Sequence, residues 1–254
     1  MTLFFMLSGY SLQMVYGKTF EVGNASLKCF YEKRLIAIWP LYITCTILII
    51  IMNVVTGYQT VADNLTLLPV EIMGIQSIFP GSLFEYASNS GTWFISCLFF
   101  CYALFPVLTR IVNRIANRLL FLSFSLVILW FYLTIIGCRF DVQFMYTNPI
   151  MRLLEFLIGM LVAMNLTLHS SPITPTLRPL VYLSNLSFAL FLGQGFVILP
   201  MKYCLKFNIL PFELSNIGLI TVVILSAYFI AFLLHEAVER PSKRILQKLL
   251  SIVR

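Results

Sequence analysis

From Leu35 to Thr56 the chain reads LIAIWPLYITCTILIIIMNVVT, twenty-two residues without a single charge. An α-helix needs roughly 20 apolar residues to cross the hydrocarbon core of a bilayer, so this stretch is long enough to span it. Runs of the same kind recur at 2–16, 92–109, 119–137, 149–168, 179–201 and 214–236. A further stretch at 65–80 is broken by Pro69, Glu71 and Pro80 and suits an interfacial or re-entrant piece better than a full span. The composition agrees: 60% of the 254 residues are hydrophobic and mean hydropathy is +0.93. Only 11% are charged, against roughly 25% in soluble domains. The expected fold is therefore all-α, a polytopic transmembrane helical bundle with about seven to eight membrane segments. One integral membrane domain is expected over residues 1–254, since no loop can hold a soluble domain. These features exclude a secreted disulfide scaffold, a dehydrogenase, a P-loop enzyme and a coiled coil. Continuous rather than alternating apolar runs exclude a transmembrane β-barrel.

The net charge of +7 does not point to nucleic acid, because the cations sit at the ends of apolar runs. One alternate set of loops holds thirteen of the seventeen Lys and Arg residues, and the opposite set holds only Arg139, Lys202 and Lys206. By the positive-inside rule the C-terminus is expected on the cytoplasmic side. The first run then travels from outside to inside, is short, and carries no signal-peptide features. A preceding helix is expected, which would make the chain N-terminally incomplete. The six cysteines (Cys29, Cys45, Cys97, Cys101, Cys138, Cys204) form no CxxC pair and read as small apolar residues.

Ionisable groups inside a membrane segment are costly and ask for a reason. Arg152 and Glu155 lie three apart on one helix face. They form either a mutually neutralising pair that holds helices together or a polar wall of a substrate cavity. Lys33 and Arg34 stand where a loop enters the helix containing Trp39-Pro40-Leu41-Tyr42. They serve either as topology determinants or as a grip on the phosphates of a donor, since arginine offers a planar bidentate fork. His235-Glu236-Ala237-Val238-Glu239 resembles half of a zinc HExxH motif, but Glu239 replaces the second histidine, so no metal site is expected. His235 reads as an interfacial residue and His169 as a solvent-facing one. Composition and spacing alone do not separate an enzyme from a transporter.

Several motifs add to this. Phe4–Tyr10 reads FFMLSGY, Phe30–Tyr42 reads FYEKRLIAIWPLY, and Thr92–Ser96 reads TWFIS and runs on through Tyr102 to Pro106. Arg152–Gly159 reads RLLEFLIG, Ser187–Leu192 reads SFALFL, and Glu239-Arg240-Pro241 follows. In this order they resemble the acyltransferase 3 family of integral membrane O-acyltransferases, which includes bacterial O-antigen and exopolysaccharide acetylases. Three positions depart from the family's pattern: Ala37 replaces a usual arginine, Leu98 a frequent glutamate, and Gln194 a usual histidine. The family's proposed catalytic histidine lies in an Arg…His motif on a helix before FFxLSG, upstream of Met1.

The resemblance implies transfer of an acyl group, acetyl first, from a coenzyme A thioester to a hydroxyl of a carbohydrate or lipid-linked saccharide. Acyl-CoA would be a co-substrate, with no bound cofactor and no metal. Lys33 and Arg34 are the donor-binding candidates and Arg152 and Glu155 the acceptor-pocket candidates, with the catalytic residue unassigned. The expected location is the bacterial inner membrane. The alternatives are a polysaccharide exporter-like carrier that lines its path with buried charges, and an inactive truncated remnant.

Overall fold

The uncharged run at 35–56 is the core of a longer helix. In the computed structural model this helix, α2, spans Leu27–Val55. It begins earlier than the apolar run because Lys28, Glu32 and Lys33 are good helix formers, with Lys28 Nζ 3.9 Å from Glu32 Oε1 one turn on. It stops at Gly57, whose φ of +67° takes the left-handed turn that ends helices. The structure describes residues 2–21, 26–57, 59–78, 91–115, 117–131, 147–165, 178–206 and 216–253.

The other helices are α1 (Thr2–Glu21), α3 (Val61–Met73), α4 (Trp93–Arg114), α5 (Arg118–Phe131) and α6 (Pro149–Asn165). They are followed by α7 (Arg178–Gly193), α8 (Gly195–Lys206), α9 (Asn216–Leu234) and α10 (Arg240–Val253). A 3-10 turn covers Gln76–Ile78 and a π turn, His235–Glu239, joins α9 to α10. No strand occurs among the described residues. The all-helical, membrane-spanning class is thus borne out.

Three helices among the described residues are long and apolar enough to cross a membrane: Leu27–Val55, Trp93–Arg114 and Ile220–Leu249. The count of seven to eight segments is not reached by these. The expected runs at 119–137 and 149–168 continue beyond the described residues at 131 and 165, so their full length lies outside them. The run at 179–201 is two helices rather than one. Gly193 and Gly195 flank Gln194, and this weak point resets the winding, with Val197 and Ile198 both donating to the Gln194 carbonyl.

The stretch expected as interfacial, 65–80, covers most of α3, which has thirteen residues and is too short to span, and the turn Gln76–Ile78, while Pro80 lies outside the described residues. The start of α3 is a capping box: the Asp63 amide donates to Thr60 Oγ1 at 3.2 Å and the Thr60 amide donates to Asp63 Oδ2 at 3.1 Å. Its end is held from α2. The Trp39 indole donates to the Ile72 carbonyl at 3.3 Å, and the Tyr42 hydroxyl donates to the Glu71 carbonyl. These are carbonyls that a helix terminus leaves without an internal partner.

The residues group into two compact units. The first contains Met1–Arg34, Gly74–Glu85 and Trp93–Pro172; the second contains Leu35–Met73, Tyr86–Thr92 and Ile173–Arg254. In the first unit α1, α4 and α6 form the centre, with Phe5, Phe94, Phe105, Phe156 and Met160 fully enclosed. α1 and α6 meet backbone to backbone. A methyl group on Gly9 would collide with the Phe156 carbonyl, and one on Gly159 with the Met6 carbonyl. In the second unit Gly193 of α7 lies against Ile230 and Leu234 of α9.

Candidate functional site

The inner face of α1 carries polar groups among its aromatic and aliphatic ones, and each finds a partner within the first unit. At its start Thr2 Oγ1 donates to Glu155 Oε1 at 2.8 Å. Glu155 also receives Arg152 Nη1 at 2.7 Å on both carboxylate oxygens, and both residues are buried. The Arg152 guanidinium lies 5.9 Å from the Phe5 ring centre, and the Cys97 thiol of α4 donates to the Thr147 carbonyl. Burial of this kind requires pairing, because an isolated charge loses far more solvation than a few contacts return.

Midway along α1, Ser8 Oγ and the Tyr102 hydroxyl are 3.2 Å apart. Further on, Arg34 reaches in from α2. Its Nη2 donates to the Tyr16 hydroxyl at 3.2 Å, and its guanidinium lies 5.3 Å from the Tyr16 ring centre and 5.8 Å from that of Phe30. Phe30 stacks on Phe105 at 5.3 Å, fixing the floor on which the arginine rests. Arg34 Nε is buried without a hydrogen-bond acceptor. A guanidinium holds five donors in a rigid fork, and this one keeps a donor ready for an anionic or carbonyl oxygen. A third polar set lies below, where Thr109 and Asn113 of α4 bond Gln13, and Asn113 Nδ2 donates to the Gly17 carbonyl at 3.2 Å.

The sequence candidates separate accordingly. Lys33 is exposed, while its neighbour Arg34 turns into the bundle. Arg152 and Glu155 are one bonded unit. The two sets are not brought together: Glu155 touches α1 at Thr2 and Arg34 touches it at Tyr16. Those fourteen residues rise about 21 Å along the helix axis. Ser8 and Tyr102 fill the interval and were missed as site residues, although both lie inside quoted motifs. An uncharged polar residue in an apolar run was the available signal.

His235 is buried within the protein. Its Nδ1 lies 2.8 Å from Glu239 Oε2, so the acid at the position of a zinc motif's second histidine is instead the partner of the first. No cluster of three metal-ligating residues occurs among the described residues. His169, Arg139 and Cys138 lie outside the described residues. Cys45, Cys97 and Cys101 are buried free thiols, and Cys29 and Cys204 are free and partly buried.

A family model described as an acyltransferase domain matches residues 1–177. That span includes FFMLSGY, FYEKRLIAIWPLY, TWFIS and RLLEFLIG, whereas Ser187–Leu192 and Glu239-Arg240-Pro241 lie past it. No curated protein and no solved structure matches the chain.

Proposed function

The chain belongs to the acyltransferase 3 family, and from that premise we propose that it moves an acyl group, acetyl first, from coenzyme A to a carbohydrate hydroxyl. The single observation that supports this reading most is Arg34, held against Tyr16 and Phe30 with a buried donor to spare. Ser8 and Tyr102, from two further motifs, pair with each other on the same helix α1 that Arg34 reaches at Tyr16. In the proposed reaction Arg34 grips a donor phosphate or the thioester oxygen with charge-assisted hydrogen bonds. Tyr16 and Phe30 hold its plane, and exposed Lys33 adds a second cation outside. Arg152 and Glu155 offer both donors and acceptors, the complement of a sugar's hydroxyls. Serine, tyrosine and arginine all keep their protons near neutral pH. These residues therefore supply binding and charge, and the base that takes the hydroxyl proton is a separate group. The acceptor would be a polysaccharide or lipid-linked saccharide, and the setting a bacterial inner membrane.

The test is equilibrium binding of radiolabelled acetyl-CoA to the purified chain in nanodiscs. Arg34→Gln should weaken binding about 10- to 100-fold, the span of a hydrogen bond to a charged group. Arg34→Lys should recover only part of it, and Lys33→Gln should cost less than Arg34→Gln. Folded protein that binds no acetyl-CoA, or binds it unchanged without Arg34, would overturn the donor assignment. Label passing to envelope carbohydrate in membranes carrying the protein tests the transfer itself. Carbohydrate crossing the membrane unlabelled would favour the carrier.

A further inference from the structure

The last helix follows directly on α9 and the π turn. Arg240–Val253 carries Arg240, Lys243, Arg244 and Lys248 and no acidic residue. The two acids just before it engage the first two of these cations. Glu236 is bonded by Arg240 Nη1 at 2.7 and 2.8 Å, and Glu239 pairs with Lys243 while also holding His235. α10 itself is thus purely cationic, and in its outer half Arg244 and Lys248 are exposed one turn apart. Directly beside them Ile245 and Leu249, also one turn apart, leave 60% and 53% of their surface open. A single helix therefore presents an aliphatic stripe flanked by two cations.

Its place supplies the second argument. The helical run Ile220–Leu249 is continuous. The nineteen residues of α9 rise about 28 Å, close to the ~30 Å of a hydrocarbon core. α10 consequently starts at headgroup level. The π turn and Pro241 at this junction are the two kinds of feature at which helices bend.

We propose that α10 docks on anionic phospholipid, with Ile245 and Leu249 entering the acyl–headgroup boundary and Arg244 and Lys248 meeting the lipid phosphates. The chemistry is that of basic amphipathic helices, in which buried apolar area and attraction to anionic headgroups add. Long cationic side chains flanking the stripe can lay their stems on the apolar layer while their heads stay at the phosphates. The proposal rests on the membrane character of the chain and not on the acyl-transfer reading.

The test places an environment-sensitive fluorophore at Leu249→Cys, in the full chain with its native cysteines replaced, reconstituted in nanodiscs of phosphatidylcholine with or without phosphatidylglycerol. Gel filtration confirms folding before each measurement. The emission should shift to the blue in the anionic nanodiscs and less so in the zwitterionic ones. Arg244→Gln with Lys248→Gln should weaken docking about thirtyfold in the anionic discs, two surface cations' worth of attraction, and high salt should do the same. The same fluorophore at Lys248→Cys should remain more water-like than at Leu249→Cys. Water-like emission at Leu249→Cys in both lipids would overturn the proposal. So would a blue shift indifferent to phosphatidylglycerol, or one that disappears when discs hold a single copy, which would mean a second copy covers the stripe. Native mass spectrometry gives an independent readout: phosphatidylglycerol retained by the wild-type chain should be lost from the double variant, and equal retention would count against docking.

Discussion

Glu155→Gln alone should damage the protein more than Glu155→Gln combined with Arg152→Met. The single change leaves a guanidinium buried against Phe5 without its counter-charge, a loss of about 3–5 kcal/mol for such pairs, whereas removing both charges is often nearly neutral. Folded yield by fluorescence-detected size exclusion of both singles and the double gives the coupling, and simple additivity would show that the pair does not interact. A second residue-level expectation concerns Asp63. The Thr60 hydroxyl, and then the Thr60 amide, hold its carboxyl below the ordinary carboxylate range. A group depressed in the folded state contributes stability above its unfolded value and loses it as pH falls through the folded value. Protection of the 61–73 amides from hydrogen exchange, corrected for intrinsic rate, should thus drop only in acid below about pH 4, and Thr60→Ala should lower it already at neutral pH. The Arg152–Glu155 pair was legible in the sequence because a spacing of three within an apolar run fixes one helix face. The contact of Ser8 with Tyr102 was not, since it joins positions 94 apart and depends on how α1 and α4 pack.

Helix α1 can lie against α6 only because neither Gly9 nor Gly159 has a side chain at the contact. Gly9→Ala or Gly159→Ala should force the two backbones apart and lower stability by roughly 1–3 kcal/mol, the usual cost of overpacking. The measurement is the Tm of the detergent-solubilised protein, and an unchanged Tm in both variants would mean the helices are not in backbone contact. A shift of α1 would also move Ser8 and Tyr16, so acetyl-CoA binding should weaken although neither glycine touches the proposed donor site. Elements were legible where apolar length alone decides them, as for α2, α4 and the α9 region. They were misjudged where a local break intervenes: Gln194 between two glycines splits α7 from α8. The indole of Trp39 and the hydroxyl of Tyr42 read as part of a loop-to-helix entry, yet they close the end of α3. Which carbonyls a donor reaches is decided by the chain's return, and no local pattern encodes it.

At the scale of the whole molecule, the thirteen-to-three division of cations predicts a cytoplasmic C-terminus. An alkaline phosphatase joined after Arg254 should be inactive and a fluorescent protein there bright; the reverse pair of results would invert the topology. Such a ledger of charge is readable from sequence because it needs only the order of runs and loops. The π turn at His235–Glu239 is not readable that way, because buried His235 and Glu239 bond each other across it only once the helix has folded. Its effect reaches well past its own five residues. A π turn accommodates one residue more than the α-helical winding, so everything after it is rotated by about 100° about the axis relative to an unbroken helix. The bearing of α10's aliphatic side relative to α9 therefore differs by that angle from what an unbroken helix would give, and the turn acts as an angular offset. Deleting Ala237 should return the winding to a single phase and swing Ile245, Leu249, Arg244 and Lys248 together to a new bearing, changing where the helix points its side chains without altering any of them.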